Sequence, residues 1–276
     1  MEQILEKILA CMPSSNKIQK VQTQHRLTLA ETWGIKKGSK ILEIGCGQGD
    51  TTAVLAYLTG ENGLVHGIDI ASADYGAPVT IGESHTFLQK SAVGSQIKID
   101  FETDIGADPL RFPDNYFDYI VLSHSSWYLS SFEELAKMLK MLRKWGKQLC
   151  FAEWDTSINS VEQYPHFLAV LIQAQYEAFK KNSMANVRTL FTPEDIRKLA
   201  KIAGWQVIKE QSIHSPDLQD ADWEVHMTLA DYQEELAAIE MPEKLRYLIE
   251  SEVHLLKASI EKIKLSPMST YTFTAT

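Results

Sequence analysis

The chain is short of cysteine, of net positive charge and of long apolar runs, and each shortage removes a class of protein. Its three cysteines, Cys11, Cys46 and Cys150, are odd in number and unrelated in spacing. Neither a disulfide framework nor a cysteine metal knuckle is expected, and a reducing, cytoplasmic compartment is the natural one. The eight histidines show no His-x-x-x-His or Cys/His ligand pattern, so no metal is expected. Lys and Arg number 27 against 36 Asp and Glu, a formal net charge of -9. That balance opposes a general affinity for nucleic acid backbones, which needs clustered cations. No uncharged stretch reaches membrane-spanning length, and the opening MEQILEKILACMPSS mixes charge into its apolar positions. The expectation is a soluble, unprocessed protein that partners neither nucleic acid nor membrane.

What the chain does have is apolar sequence enough for a real core, 45% of 276 residues. No internal repeat or low-complexity linker divides it, so one domain over 1–276 is expected. Its organising stretch is KILEIGCGQGD, residues 40–50. A short apolar run meets three glycines, Gly45, Gly47 and Gly49, and a helical pattern follows at once. In a parallel sheet such a strand-to-helix turn faces the ligand. Glycines let the backbone approach closely there, and free helix-start N–H groups meet acceptor atoms. The next apolar run, 64–70, ends at Asp69, twenty positions past Gly49, where a carboxylate can accept bonds from both hydroxyls of a ribose.

Helical spacing fills 1–12 and 16–34. Strands are expected at 40–44, 64–70, 97–102, 117–122, 148–154, 205–211 and 268–276. Helices fall at 51–58, 132–142 and 192–204, the last started by a Thr192 cap, Pro193 and Asp195. Gly76, Pro78 and Gly82 break any long helix in 71–94. Residues 155–190 and 216–265 are helical by pattern, with Leu245, Leu248, Ile249, Leu256, Ile260 and Ile263 assigned to one stripe. The alternation argues for an α/β fold, a doubly wound, mostly parallel seven-stranded sheet. Its helical additions, 1–34, 155–190 and 216–265, would form a substrate cover, or else extra core or a homodimer surface.

Taken together, these segments resemble a class I S-adenosylmethionine-dependent methyltransferase of the small-molecule, methyltransferase type 11/UbiE-like kind. ILEIGCGQG resembles that family's first motif, GIDI its second and FPDNYFDYIVLSHSSWYL its fourth-strand region, over residues 37–212. The third glycine comes one residue earlier than in the dinucleotide G-x-G-x-x-G pattern, and Asp50 stands where that pattern wants a small residue. The resemblance implies a Rossmann-like sheet with S-adenosyl-L-methionine as cofactor. Gly45, Cys46, Gly47 and Gly49 would pass under its methionyl and ribose parts, and Glu43 would meet the methionyl amino group. Asp69 and Ile70 would address the ribose, Asp104 with Ile105 the adenine, with Asp108 a rival to Asp104. Ser123 and His124 would lie where the fourth strand meets the methionyl group.

A sulfonium methyl is already activated, so the protein's work is to bring a small-molecule acceptor in line, exclude water and remove a proton. His124 reads as a general base or as a packing residue, and His25 as a second candidate. Glu153 and Asp155 could bind a substrate amine or accept a proton, or serve as capping acids. Trp127, Tyr128 and Trp154 could shield the sulfonium and a cationic acceptor, or simply wall the pocket. Cys46 has no basic partner nearby in sequence and is not read as a nucleophile. Two other functions stay open at this point, a non-catalytic S-adenosylmethionine-binding protein and an NAD-linked oxidoreductase. A macromolecular acceptor fits less well, because the fourth-strand loop reads Ser-His-Ser-Ser-Trp instead of an Asn-Pro-Pro-Tyr type of sequence.

Overall fold

A computed structural model of the chain describes residues 2–107 and 112–276; Asp108 lies outside the described residues. The sheet is centred on β1 (Lys40–Ile44), paired in parallel with β2 (Leu64–Ile68) on one side and β4 (Phe117–Ser123) on the other. β3 (Ile97–Asp100) extends the first side and β5 (Gly146–Trp154) the second, both in parallel. β7 (Thr270–Ala275) runs antiparallel between β5 and β6 (Val207–Ile213). The order is β3-β2-β1-β4-β5-β7-β6, the seven-stranded, mostly parallel sheet that the sequence implies. The chain winds outward from β1 to β3 and then returns to the other side of β1 at β4. A crevice therefore opens beyond the carboxyl ends of β1 and β4.

Both faces of the central strands are covered, which is why they read as nearly unbroken apolar runs. Ile41, Val121 and Cys150 face α1 (Glu2–Leu9), α2 (Lys17–Trp33) and α3 (Asp50–Thr59). Leu42, Ile120 and Phe151 face α5 (Phe132–Trp145) and α7 (Pro193–Ile202). In α5 the buried side chains are Leu135, Met138, Leu139, Leu142 and Trp145, one stripe at helical spacing, and each such burial contributes about 1.5–3 kcal/mol. Three further helices, α6 (Tyr164–Glu177), α8 (Asp220–Ala237) and α9 (Glu243–Ile260), form their own cluster around Leu168, Ile172, Val225, Ile249, Val253 and Leu256. Gln22 of α2 ties α8 in place, its Nε2 donating to Asp220 Oδ2 at 2.9 Å.

Several sequence expectations need correction. Residues 71–94 hold a ten-residue helix, α4 (Ile81–Lys90), started by a capping box between Thr80 and Glu83. Gly82 does not break it. Its N–H donates to Ala73 O at 2.8 Å, and a Cβ at Gly82 would lie 2.8 Å from that same oxygen, so close approach demands the glycine. In 155–190 the helix is confined to α6 after a short 3₁₀ turn, Val161–Gln163; residues 178–192 are irregular and supply walls of the crevice. The stripe assigned to α9 is narrower than expected, since Leu248 is 52% exposed while Ile249, Val253 and Leu256 are buried. β2 also stops at Ile68, which frees Asp69 and Ile70 to turn toward the crevice.

Candidate active site

A cavity of about 470 Å³ lies beyond the ends of β1, β2 and β4, and the glycine turn forms its floor. Gly45 has φ +73° and a Cβ there would sit 2.7 Å from Ser125 Cβ; Gly49 has φ +87° and its Cβ would meet His85 Cε1 at 2.8 Å. Backbone angle and space thus both require glycine at these two positions. The turn is held from outside. Gly45 N–H donates to Ile68 O at 2.8 Å, Gly47 N–H to Asp69 Oδ2 at 2.7 Å, and His85 Nε2 to Gly47 O at 2.8 Å. Asp69 Oδ1 accepts from Ala71 N–H at 2.9 Å. A carboxylate offers about four lone-pair sites, so Asp69 keeps acceptor capacity toward the cavity that it lines. Ile70, Thr103, Asp104 and Ile105 line the same space. Asp104 Oδ1 accepts from Gly106 N–H at 2.7 Å, which fixes that loop.

Glu43 sits at the inner end, 2% exposed. It accepts a bond from Thr52 Oγ1 at 2.7 Å, and burial pushes its carboxyl up to about 8. Next to it in the wall, Ser123 and Ser125 each bury a hydroxyl oxygen with no hydrogen-bond partner. Unpartnered hydroxyls and a buried carboxyl lining one cavity suit an ammonium, so the residues present fit the amino end of S-adenosylmethionine. Glu43 also makes stability depend on pH. Its folded-state value lies above its unfolded value of 4.5, so the contribution is fully present below about pH 4.5 and is lost as pH rises through about 8. Thermal unfolding of the ligand-free protein is expected to show a midpoint that falls across this window, and Glu43→Gln should flatten the fall. Equal slopes for the two proteins would remove the assignment.

Folding gives Cys46 a basic neighbour that is distant in sequence. His85 Nε2 lies 4.0 Å from its Sγ, brought there by α4. That nitrogen is committed to Gly47 O, and burial pushes the thiol up, away from thiolate. Cys46 is a small residue packed within the turn, where its Sγ would be 3.0 Å from a Cβ at Gly67.

A second cavity, of about 210 Å³, adjoins the first. Arg26, His124, Tyr128 and Asn186 line both. His124 follows β4 in a left-handed conformation, φ 51°, held by its N–H donating to Ala152 O at 2.9 Å. Its Nδ1 is 3.4 Å from Glu153 Oε1, near enough for ion-pair attraction but angled off a hydrogen bond. Its Nε2 is 3.4 Å from His25 Nε2, and His25 Nδ1 is 2.9 Å from Ser215 Oγ. Burial, then the neighbouring His124, push His25 down to about 2, so His25 stays neutral. Glu153 is buried and saturated. It accepts from Ser126 N–H at 3.1 Å, Ser126 Oγ at 2.8 Å, Trp127 N–H at 3.4 Å and Trp154 N–H at 3.0 Å. Trp127 and Trp154 complete that side, the Trp154 ring centroid lying 4.7 Å from that of His124. Asp155 stays apart from both cavities, buried, with Oδ1 accepting from Ser157 N–H at 2.9 Å.

Sequence reasoning missed Arg26, Asn186, Asp220 and Glu224 as site residues. Each belongs to a segment far from the motifs, and only the folding of α2, α8 and the 178–192 stretch over the crevice brings them in. Among the described residues no group of three or more His, Cys, Asp and Glu is arranged to hold a metal ion. No helix among them is long and apolar enough to cross a membrane.

A family model described as a methyltransferase domain matches residues 17–210. A methyltransferase named phomM' from Diaporthe leptostromiformis is 27% identical over 234 residues, covering 71% of this chain and 60% of that protein. A demethylmenaquinone methyltransferase from Bacillus licheniformis is 34% identical over 110 residues, 38% of this chain and 42% of that protein. The chain therefore spans about 60% or less of the length of these curated relatives. Among solved structures, a cyclopropane-fatty-acyl-phospholipid synthase-like protein from Lactobacillus casei superposes with a TM-score of 0.89 at 36% identity, covering 100% of both chains.

Proposed function

Since the chain belongs to the methyltransferase-domain family that matches residues 17–210, as a class I S-adenosylmethionine-dependent methyltransferase, we propose that it carries a methyl group to a small molecule bound in the second cavity. The observation that supports this most is the meeting of the two cavities at Arg26, His124, Tyr128 and Asn186. An acceptor in the smaller space would face the donor in the larger one across that junction. The glycine turn and Cys46 lie under the methionyl and ribose parts, Asp69 and Ile70 hold the ribose, and Asp104 with Ile105 addresses the adenine. Glu43, Ser123 and Ser125 meet the methionyl ammonium, and Arg26 its carboxylate.

The donor supplies an activated methyl, so the chain's own side chains position, desolvate and deprotonate. His124 takes the acceptor's proton, and Glu153, fixed by its backbone and hydroxyl donors, stabilises the imidazolium that results. His25 stays neutral, with its Nε2 3.4 Å from His124 Nε2, the nitrogen left to accept that proton. Trp127, Tyr128 and Trp154 wall the acceptor. Family membership removes the NAD-linked reading. The relatives' names are as unlike as a demethylmenaquinone methyltransferase and a cyclopropane-fatty-acyl-phospholipid synthase-like protein, so the acceptor has to be read from this chain's own cavity. The test is incubation with methyl-labelled S-adenosylmethionine and a cell extract split by size. Label should enter the small-molecule fraction. Label confined to protein or RNA, or cofactor binding without turnover, would overturn the proposal.

A further inference from the structure

The second cavity is unbalanced in charge. Glu153, Asp220 and Glu224 line it, with Arg26 as the basic side chain among the lining residues, and Arg26 stands at the junction assigned above to the donor's carboxylate. Glu153 is already saturated by Ser126, Trp127 and Trp154. Glu224 receives a side-chain bond from a neutral group, Gln173 Nε2 at 2.7 Å, and Asp220 one from Gln22 at 2.9 Å. No ion pair joins either acid to a basic side chain among the described residues. Burial holds the Glu224 carboxyl above its usual range, as expected of an acid without a cation beside it. One helical turn separates the two acids on α8, so both project to one side. The lining is otherwise rich in aromatic rings, Trp127, Tyr128, Trp154 and Trp223, whose faces attract cations. At about 210 Å³ the space is below the roughly 300 Å³ at which pockets for drug-sized ligands begin.

From the paired carboxylates, the ring faces and the continuity with the donor cavity, we propose that the methyl acceptor is a small amine, taken up as its ammonium ion against Asp220 and Glu224. The inference rests on the methyltransferase reading. The ammonium gives one N–H proton to His124. The freed nitrogen lone pair forms the N–C bond to the methyl carbon, while the C–S bond breaks with its electron pair going to sulfur. The positive charge of the sulfonium ends on the N-methylated ammonium.

The test is calorimetry on the full chain saturated with S-adenosylhomocysteine, using benzylamine and ethanolamine against benzyl alcohol and ethylene glycol, with tetramethylammonium as a permanent cation. Amines and tetramethylammonium should bind at least tenfold tighter than the alcohols. Asp220→Asn and Glu224→Gln should each reduce that preference at least tenfold while S-adenosylhomocysteine affinity stays unchanged, which also shows that the variants fold. Normal S-adenosylhomocysteine binding with no preference for amines, or a preference indifferent to both substitutions, overturns the amine assignment alone. Failure of the wild-type chain to bind S-adenosylhomocysteine overturns the methyltransferase reading and this inference with it.

Discussion

His124→Gln is expected to lower kcat for methyl transfer by about 10²–10⁴-fold, the usual worth of a general base, with affinity for S-adenosylmethionine unchanged. The expectation comes from where the ring stands. His124 lines both cavities, and its backbone is held at φ 51°, a conformation that costs a residue with a side chain about 1–3 kcal/mol and persists where surrounding structure enforces it. Glu153 lies on one side of the ring at 3.4 Å and His25 on the other at 3.4 Å. Glu153 cannot move without giving up its bonds from Ser126 and Trp154, so it favours a proton on Nδ1. A variant that keeps the parent's kcat would make His124 a packing residue.

Asp69→Ala should weaken S-adenosylmethionine binding at least tenfold, on the order of 1.4 kcal/mol or more, and do so without altering the kcat of the saturated enzyme by a comparable factor. Two losses combine. The ribose hydroxyls lose their acceptor, and Gly47 N–H, now 2.7 Å from Oδ2, loses the bond that sets the turn. Asp69→Asn serves as a control, since it retains one oxygen for the turn but offers fewer acceptor sites to the two hydroxyls. Unchanged affinity in the alanine variant would remove Asp69 from the ribose site.

Much of this architecture was legible in the sequence because its signals are local. The strand, glycine turn and helix start at 40–50 lie within eleven consecutive residues, and Thr192, Pro193 and Asp195 form the capping box that their spacing announces. α4 was missed although Thr80 and Glu83 form a capping box too, because Gly82 lowers helix propensity and its reason, the contact with Ala73 O, is tertiary. The same limit applies to the site. Ser123 and His124 could be placed from the end of β4, but the approach of His25 to Ser215, of Cys46 to His85 and of Gln22 to Asp220 joins residues 190, 39 and 198 positions apart. No periodicity encodes such pairs. The acceptor cavity joins side chains of α2, α8 and the 178–192 stretch to the ends of β4 and β5, which is why the donor could be read from motifs and the acceptor could not.

Methyl transfer across the junction of the two cavities is tested most directly by a crystal structure of the chain with S-adenosylhomocysteine. The prediction is density with the ribose hydroxyls on Asp69, the amino group among Glu43, Ser123 and Ser125, and the sulfur turned toward the space between His124, Tyr128 and Asn186. The acceptor cavity should then open about 3–3.5 Å beyond where the methyl would stand. Density with the sulfur turned away from His124, or sealed off from the second cavity, would contradict it.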